Sequence, residues 1–213
     1  MNQHQSNLWK DKKFLQIFFI SFLFLVIILL AFTKFVVYVE QRNGFSFNDP
    51  LLKLFSPIDL TWLIFTVIYI SIIMGIIHLI KFPNYLLIAI QSYALLVLFR
   101  TLFMYLLPLN PPEKMILLKD PFVEFFSSDG IVLTKDLFFS GHTATMFLLF
   151  LTARTKFYRN CFFIATLIIA SSVLIQHVHY TIDVITALFV TYCAYNIVVD
   201  LNKDIFTKLN LEK

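Results

Sequence analysis

Six apolar runs, separated by short polar connections, organise the chain. They cover approximately Phe14–Val39, Leu60–Ile80, Asn84–Leu107, Phe138–Ala153, Cys161–Gln176 and Ile182–Val199. None alternates polar and apolar residues with a period of two, which argues against a membrane barrel. About 20 apolar residues carry a helix across a bilayer. The pattern therefore predicts an all-α, polytopic membrane protein built as a six-transmembrane-helix bundle. The fourth and fifth runs are short, so their ends are expected inside the headgroup layer. Pro83 separates the second and third runs and predicts a tight hairpin. The expected organisation is a tail over residues 1–13, one membrane domain over 14–200 and a second tail over 201–213.

Composition narrows the class. Of 213 residues, 59% are hydrophobic and 14% charged, against about 25% charged in ordinary soluble domains. The mean hydropathy is +0.81. A soluble fold of this size could not hide so much apolar surface. The net charge of +4 comes with no basic patch interleaved with exposed aromatics, so nucleic acid is not an expected partner. Cys161 and Cys193 lie at the start of one apolar run and inside another, which suggests neither a disulfide framework nor a zinc site. Lys10, Lys12 and Lys13 before the first run imitate a signal peptide. The apolar stretch is too long for a signal core of about 7–15 residues, and no small-residue cleavage site follows, so a retained first helix is expected.

Charge placement predicts orientation. Ten Lys and Arg residues fall in the N-terminal tail, at Lys81, in the Arg154–Arg159 turn and in the C-terminal tail, against five in the other loops (Arg42, Lys53, Lys114, Lys119 and Lys135). Lys34 and Arg100 lie near outward helix ends and are set apart. Both termini are therefore expected in the cytoplasm. The starts of the fourth and sixth runs, with His142, His179 and Asp183, then face the periplasm, the exterior or a lumen. The connection Pro108–Asp136 is the longest. Its Pro108, Pro111, Pro112 and Pro121 exclude a continuous helix. It also carries Glu113, Asp120, Glu124, Asp129 and Asp136, and its Phe122, Phe125 and Phe126 suit the lipid interface. A loop of this length is either a lid over a site or a plain surface connector.

Candidate chemistry concentrates in two short segments, Ser140-Gly141-His142-Thr143 and His179-Tyr180-Thr181-Ile182-Asp183. Ionisable groups at membrane depth are costly and usually mark function. A helix start presents unpaired N–H groups and a positive dipole end, which favour phosphate. Ser140 suits the N-cap, Gly141 lets backbone approach an anion, and His142 can deliver a proton to a leaving oxygen. His179 and Asp183, four residues apart, would share one helical face. A carboxylate beside one ring nitrogen raises basicity at the other, so His179 could attack phosphorus and form a phosphohistidine. Taken singly, each histidine also fits a structural role, and the His–Asp pair a helix cap. Zinc held by His177, His179 and Asp183 is disfavoured, because positions i and i+2 point apart on a helix and no HExxH spacing exists. No metal or other cofactor is expected.

At these residues the chain resembles the type 2 phosphatidic acid phosphatase superfamily and, within it, the sphingomyelin synthase-like branch. Lys135-Asp136-Leu137-Phe138-Phe139-Ser140-Gly141-His142-Thr143 is similar to that branch's Ser-Gly-His-Thr motif with its upstream Asp. His177-Val178-His179-Tyr180-Thr181-Ile182-Asp183-Val184 is similar to its His-x-His-Tyr-Thr-Ile-Asp-Val motif. Arg100-Thr101 through Leu107-Pro108 is similar to its third-helix motif. The resemblance runs from about Asp49 to the C-terminus. It implies a six-helix fold and double displacement, with His179 as nucleophile, Asp183 as its orienting carboxylate and His142 as leaving-group acid. General lipid phosphatases of the superfamily carry an early Lys/Arg-Pro motif, absent here, and an Arg six residues before the second histidine, where this chain has Val173. Fewer cations are left for the phosphate, and Arg100 and Lys135 are the candidates to join Ser140 and Gly141 there. The expectation is a compact, bacterial inner-membrane lipid phosphatase or phospho-headgroup transferase acting on a phospholipid or sphingolipid. The competing expectations are a non-catalytic lipid-binding or transporter-like bundle and an isoprenoid pyrophosphate phosphatase.

Overall fold

The computed structural model describes residues 8–119 and 134–208, with side chains as far as Lys203. Among the described residues six helices follow one another: α1 (Lys12–Glu40), α2 (Thr61–Leu79), α3 (Pro83–Leu106), α4 (Gly141–Thr152), α5 (Lys156–Ile175) and α6 (Thr181–Lys208), with a short 3-10 turn at Leu52–Leu54. Among the described residues there is no strand, only an isolated bridge between Phe45 and Leu109. Five of the helices are long and apolar enough to cross a bilayer; α4, with 12 residues, is shorter. The chain is an integral membrane protein with an all-helical fold.

Local chemistry sets the helix ends. Asp11 caps α1 by accepting from the N–H of Phe14 at 2.9 Å. Pro83 sits in the first turn of α3, where its missing N–H leaves no hydrogen bond unmade. Three boundaries differ from the hydropathy pattern. Helix α6 runs on to Lys208, past the end of the apolar run at Val199 and into the segment expected as a tail. Helix α5 starts at Lys156, before the apolar run at Cys161. Its first turn carries Lys156 and Arg159, with the Arg159 guanidinium 5.1 Å from the Phe150 ring. At 20 residues α5 is long enough to span, so only α4 keeps the shortness expected of both. Helix α4 starts at Gly141, not Phe138, because Phe138 has a left-handed backbone (φ 74°) that a right-handed helix cannot contain.

Helix α4 is the hub of the bundle, packed against α2, α3, α5 and α6. On one flank Met146 meets Ile64 and Ile68 of α2 and Ile169 and Val173 of α5. On another, Ala144 and Leu148 meet Leu96 of α3 and Ala187, Val190 and Ala194 of α6. The small residues of α6 let the helix backbones come close, as membrane packing requires. Helix α1 rests on α3, through Ile28 against Ala94 and Val97 and through Val36 and Val39 against Met104. Its other flank, including Phe19, Ile20, Leu23 and Ile27, is exposed and suits lipid.

The connections at the end bearing Ser140 and His179 are pinned together. Asn110 exchanges two hydrogen bonds with the backbone of Gly44, at 3.2 and 2.7 Å. A Cβ on Gly44 would stand 2.5 Å from the carbonyl carbon of Leu109, so glycine is required for this approach. Gln176 is fully buried. Its side chain accepts from Leu60 N at 2.9 Å and donates to Thr61 Oγ1 at 2.9 Å and to Ile116 O at 3.3 Å.

Candidate active site

The start of α4 is built by its cap. Ser140 is fully buried, and its Oγ accepts from Thr143 N at 3.4 Å and lies 3.0 Å from Thr143 Oγ1. Its own N–H donates to the carbonyl of Asp183 at 3.3 Å. The starts of α4 and α6 are thereby tied. A Cβ on Gly141 would overlap the Arg100 guanidinium, so glycine lets that cation reach the helix start. Arg100 forms an ion pair with Asp136 and lies 5.1 Å over the Phe32 ring. Among the described residues, Arg100 Nε and Asp136 Oδ1 are buried with no hydrogen-bond partner.

His179 is not on a helix, contrary to the shared helical face that its spacing from Asp183 suggested. It lies in the turn between α5 and α6, which His177 opens with a left-handed backbone (φ 56°). The N–H groups of Val178 and His179 both donate to Val173 O, at 2.9 and 3.4 Å. Asp183, fully buried in the first turn of α6, reaches back out of the helix. Its Oδ2 accepts from Tyr180 N at 3.1 Å and meets His179 Nδ1 at 3.2 Å. This is the return half of a capping box. One carboxylate both closes the helix start and orients the imidazole, so the two readings of the His–Asp pair coexist. Asp183 Oδ1 is buried without a partner among the described residues.

His142 and His179 line the same cavity of about 260 Å³, together with Phe65, Met115, Leu118, Thr134, Asp136, Leu137 and Val178. The His142 ring stands edge-on to Phe65, with centroids 6.0 Å apart. The described parts of the 108–136 connection thus form one wall of the cavity. The lid residues expected at Asp120, Pro121, Phe122, Glu124, Phe125, Phe126 and Asp129 lie outside the described residues. Lys135 does not line the cavity; its Nζ donates to Arg42 O at 2.6 Å and its N–H to Glu40 Oε2 at 2.9 Å. The structure therefore brings His142, His179 and Asp183 together, with Ser140, Gly141 and Arg100 at the adjoining helix start, and holds the Lys135 amine elsewhere.

His177 faces away from this cavity, into a larger one. Among the described residues, no group of three or more His, Cys, Asp or Glu side chains is arranged to hold a metal ion.

Sequence reasoning missed the residues that hold the His179 turn. Asp49 accepts from Thr181 N at 2.6 Å and from Thr181 Oγ1 at 3.1 Å, capping α6 from a distant loop. Burial pushes its pKa up, but the hydrogen bonds from Thr181 and Leu51 outweigh this and hold the carboxyl below its usual value. Tyr180, nearly fully buried, donates to Asn110 O at 3.0 Å and accepts from Phe47 N at 3.4 Å. Glu40 binds Thr134 N and Lys135 N, both at 2.9 Å. The Asn-Asp-Pro run at 48–50 is a turn signal, and Tyr180 stands inside the His179–Asp183 segment, but neither signal names a partner.

Residues 135–200, the segment that contains both motif stretches, match the family model described as PAP2 superfamily C-terminal. No curated protein matches the chain, and no solved structure does. The family match covers α4, α5, the turn that carries His179 and most of α6, so this part of the membrane protein is similar to the PAP2 superfamily, whose members are generally phosphatase-type enzymes.

Proposed function

We propose that the chain is a membrane-embedded lipid phosphatase or phosphotransferase of the sphingomyelin synthase-like kind, working through a phosphohistidine. The observation that carries this reading is the shared cavity: His142 and His179 line one space, and the Asp183 carboxylate sits on His179 Nδ1. That carboxylate keeps the proton on Nδ1, which leaves the lone pair of Nε2 to attack phosphorus. The P–O bond to the lipid alcohol breaks as the new N–P bond forms, and His142 gives its proton to the departing oxygen. Water or a lipid hydroxyl then attacks the phosphohistidine and loses its proton to His142. The phospho group leaves His179, and both imidazoles return to their starting states.

The α4 start supplies the anion site. Ser140, Gly141 and the backbone N–H groups of the first turn lie where a positive dipole end favours phosphate. Arg100 stands against Gly141, its Nε still without a partner among the described residues, so it can take a phosphate oxygen alongside Asp136. Lys135 contributes to the phosphate only if its amine leaves Arg42 O. In the same proposal both termini are cytoplasmic, and the cavity opens on the outer face of a bacterial inner membrane.

Purified protein incubated with phosphatidic acid or phosphatidylcholine, with and without ceramide, tests the reading. Phosphate release marks hydrolysis, and a new headgroup-bearing lipid marks transfer. Either His142→Ala or His179→Ala is expected to lower turnover by roughly 10²–10⁴-fold. Unchanged turnover in both variants would instead favour a lipid-binding or transporter-like bundle. Activity confined to isoprenoid pyrophosphates would move the substrate class and keep the mechanism.

A further inference from the structure

A second cavity, about 360 Å³, opens on the other side of the turn that carries His179. The same two segments wall both spaces. Pro112, Glu113 and Lys114, with His177 and Tyr180, face the larger cavity; Met115 and Leu118, with Val178 and His179, face the smaller. A hydrogen bond from Ile116 N to Gln176 O, 3.2 Å, holds the segments side by side.

One buried polar group of the larger cavity lacks a partner among the described residues. His177 is 3% exposed, and its Nε2 is buried with no hydrogen-bond partner among the described residues. A buried nitrogen left in that state is destabilising by roughly 1–3 kcal/mol, which a ligand hydroxyl would recover. Burial and the Lys114 ammonium push the His177 pKa below its ordinary 6.5, with Asp49 opposing, so the ring is neutral at pH 7. It therefore offers one neutral hydrogen bond and no charge.

The remaining lining decides the ligand class. Lys53 and Lys114 are balanced by Asp49 and Glu113, so neither an anion nor a cation finds a field of one sign. Three rings add apolar faces: Phe55 lies 5.3 Å from the His177 ring, and Phe47 stands edge-on to Tyr180 at 5.8 Å. Aromatic faces, balanced charges and a neutral buried imidazole match an uncharged, hydroxyl-rich group. We propose that this cavity binds a neutral polyol or glycosyl group, with one of its hydroxyls on His177 Nε2. The group is either the headgroup of a glycolipid or a free polyol. The site is separate from the His142–His179 cavity and does not depend on the chemistry proposed there.

Binding is read without activity. The full chain, with ¹³C,¹⁵N-labelled histidine, is reconstituted in phosphatidylcholine nanodiscs; its five histidines are resolved by ring shifts, and His177→Asn assigns the signal. Free glucose and myo-inositol are titrated first, followed by nanodiscs containing monoglucosyl diacylglycerol. A saturable shift of the His177 ring is expected, with phosphocholine and inorganic phosphate leaving it unmoved. Response to the free polyols assigns a soluble ligand; response to the glycolipid alone assigns a headgroup. His177→Asn, which tolerates the left-handed backbone, and Phe55→Ala should each weaken binding by about tenfold. Binding in the variants is read by isothermal titration. If His177→Asn does not fold, Phe55→Ala carries that arm. No shift with any polyol probe, an equal response to phosphocholine or phosphate, or undiminished binding in a folded variant overturns the proposal.

Discussion

Helices α1 and α4 are both strongly apolar, yet they live in different surroundings. Helix α1 has 29 residues and rests on α3, with only Phe14, Ile28, Val36 and Val39 buried. Helix α4 has 12 and packs against four other helices, with Thr143, Ala144, Met146, Leu148 and Thr152 buried. In lipid an outward-facing Phe is as well solvated as a buried one, so apolarity alone does not mark the centre of a membrane bundle. Shape does. The short helix can be central because its start ends at a cavity. The long helix, at about 43 Å for a 1.5 Å rise per residue, exceeds a hydrocarbon core of about 30 Å and is free to tilt.

The contrast can be broken at four places. Met146→Ala, at the buried centre of α4, should destabilise the protein by about 2–5 kcal/mol through the cavity it leaves, measured by thermal unfolding in detergent. Gly141→Ala should push the Arg100 guanidinium away from the helix start. Turnover on a lipid phosphate should then fall about 10²-fold, the effect of a small misplacement, while circular dichroism stays unchanged. Asp49→Ala should lower stability by about 0.5–2 kcal/mol as the α6 cap is lost, with Asp49→Asn keeping only the part that needs no charge. Last, Ile20→Leu on the outward flank of α1 should stay within about 0.5 kcal/mol; a larger loss would mean that this flank is not lipid-facing.

Asp49 also sets an acid limit. Its folded pKa lies below the ordinary carboxyl value of 3.8. The stabilisation it gives is therefore complete above that value and is lost as pH falls through the lowered one. Acid unfolding of the wild type and of Asp49→Asn should separate above pH 3.8 and converge below it.

The sequence made the helices legible because each long apolar run has little alternative to helix in a bilayer. It also marked Ser140 as a cap, since a serine before a glycine at the start of an apolar run is a local signal. Local signals fail where geometry is imposed from afar. Phe138 and His177 adopt left-handed backbones, a conformation expected of glycine or asparagine and unfavourable by about 1–2 kcal/mol for other residues. Their tertiary partners hold them there: Phe138 packs on Phe103 and His177 on Phe55. For the same reason His179 was expected on a helix and lies in a turn. Asp49, Tyr180 and Glu40 act across loops that sequence spacing cannot pair.

Gln176 has a consequence for dynamics. Its amide joins the start of α2, the loop segment at Ile116 and the end of α5 in one knot, and the left-handed residue that launches the His179 turn comes directly after it. A fluctuation that frees any one of these pieces must release the others. Amide protons at Leu60, Ile116 and Val178 should therefore exchange with solvent deuterium at a common rate, as a single cooperative opening and not as independent fraying.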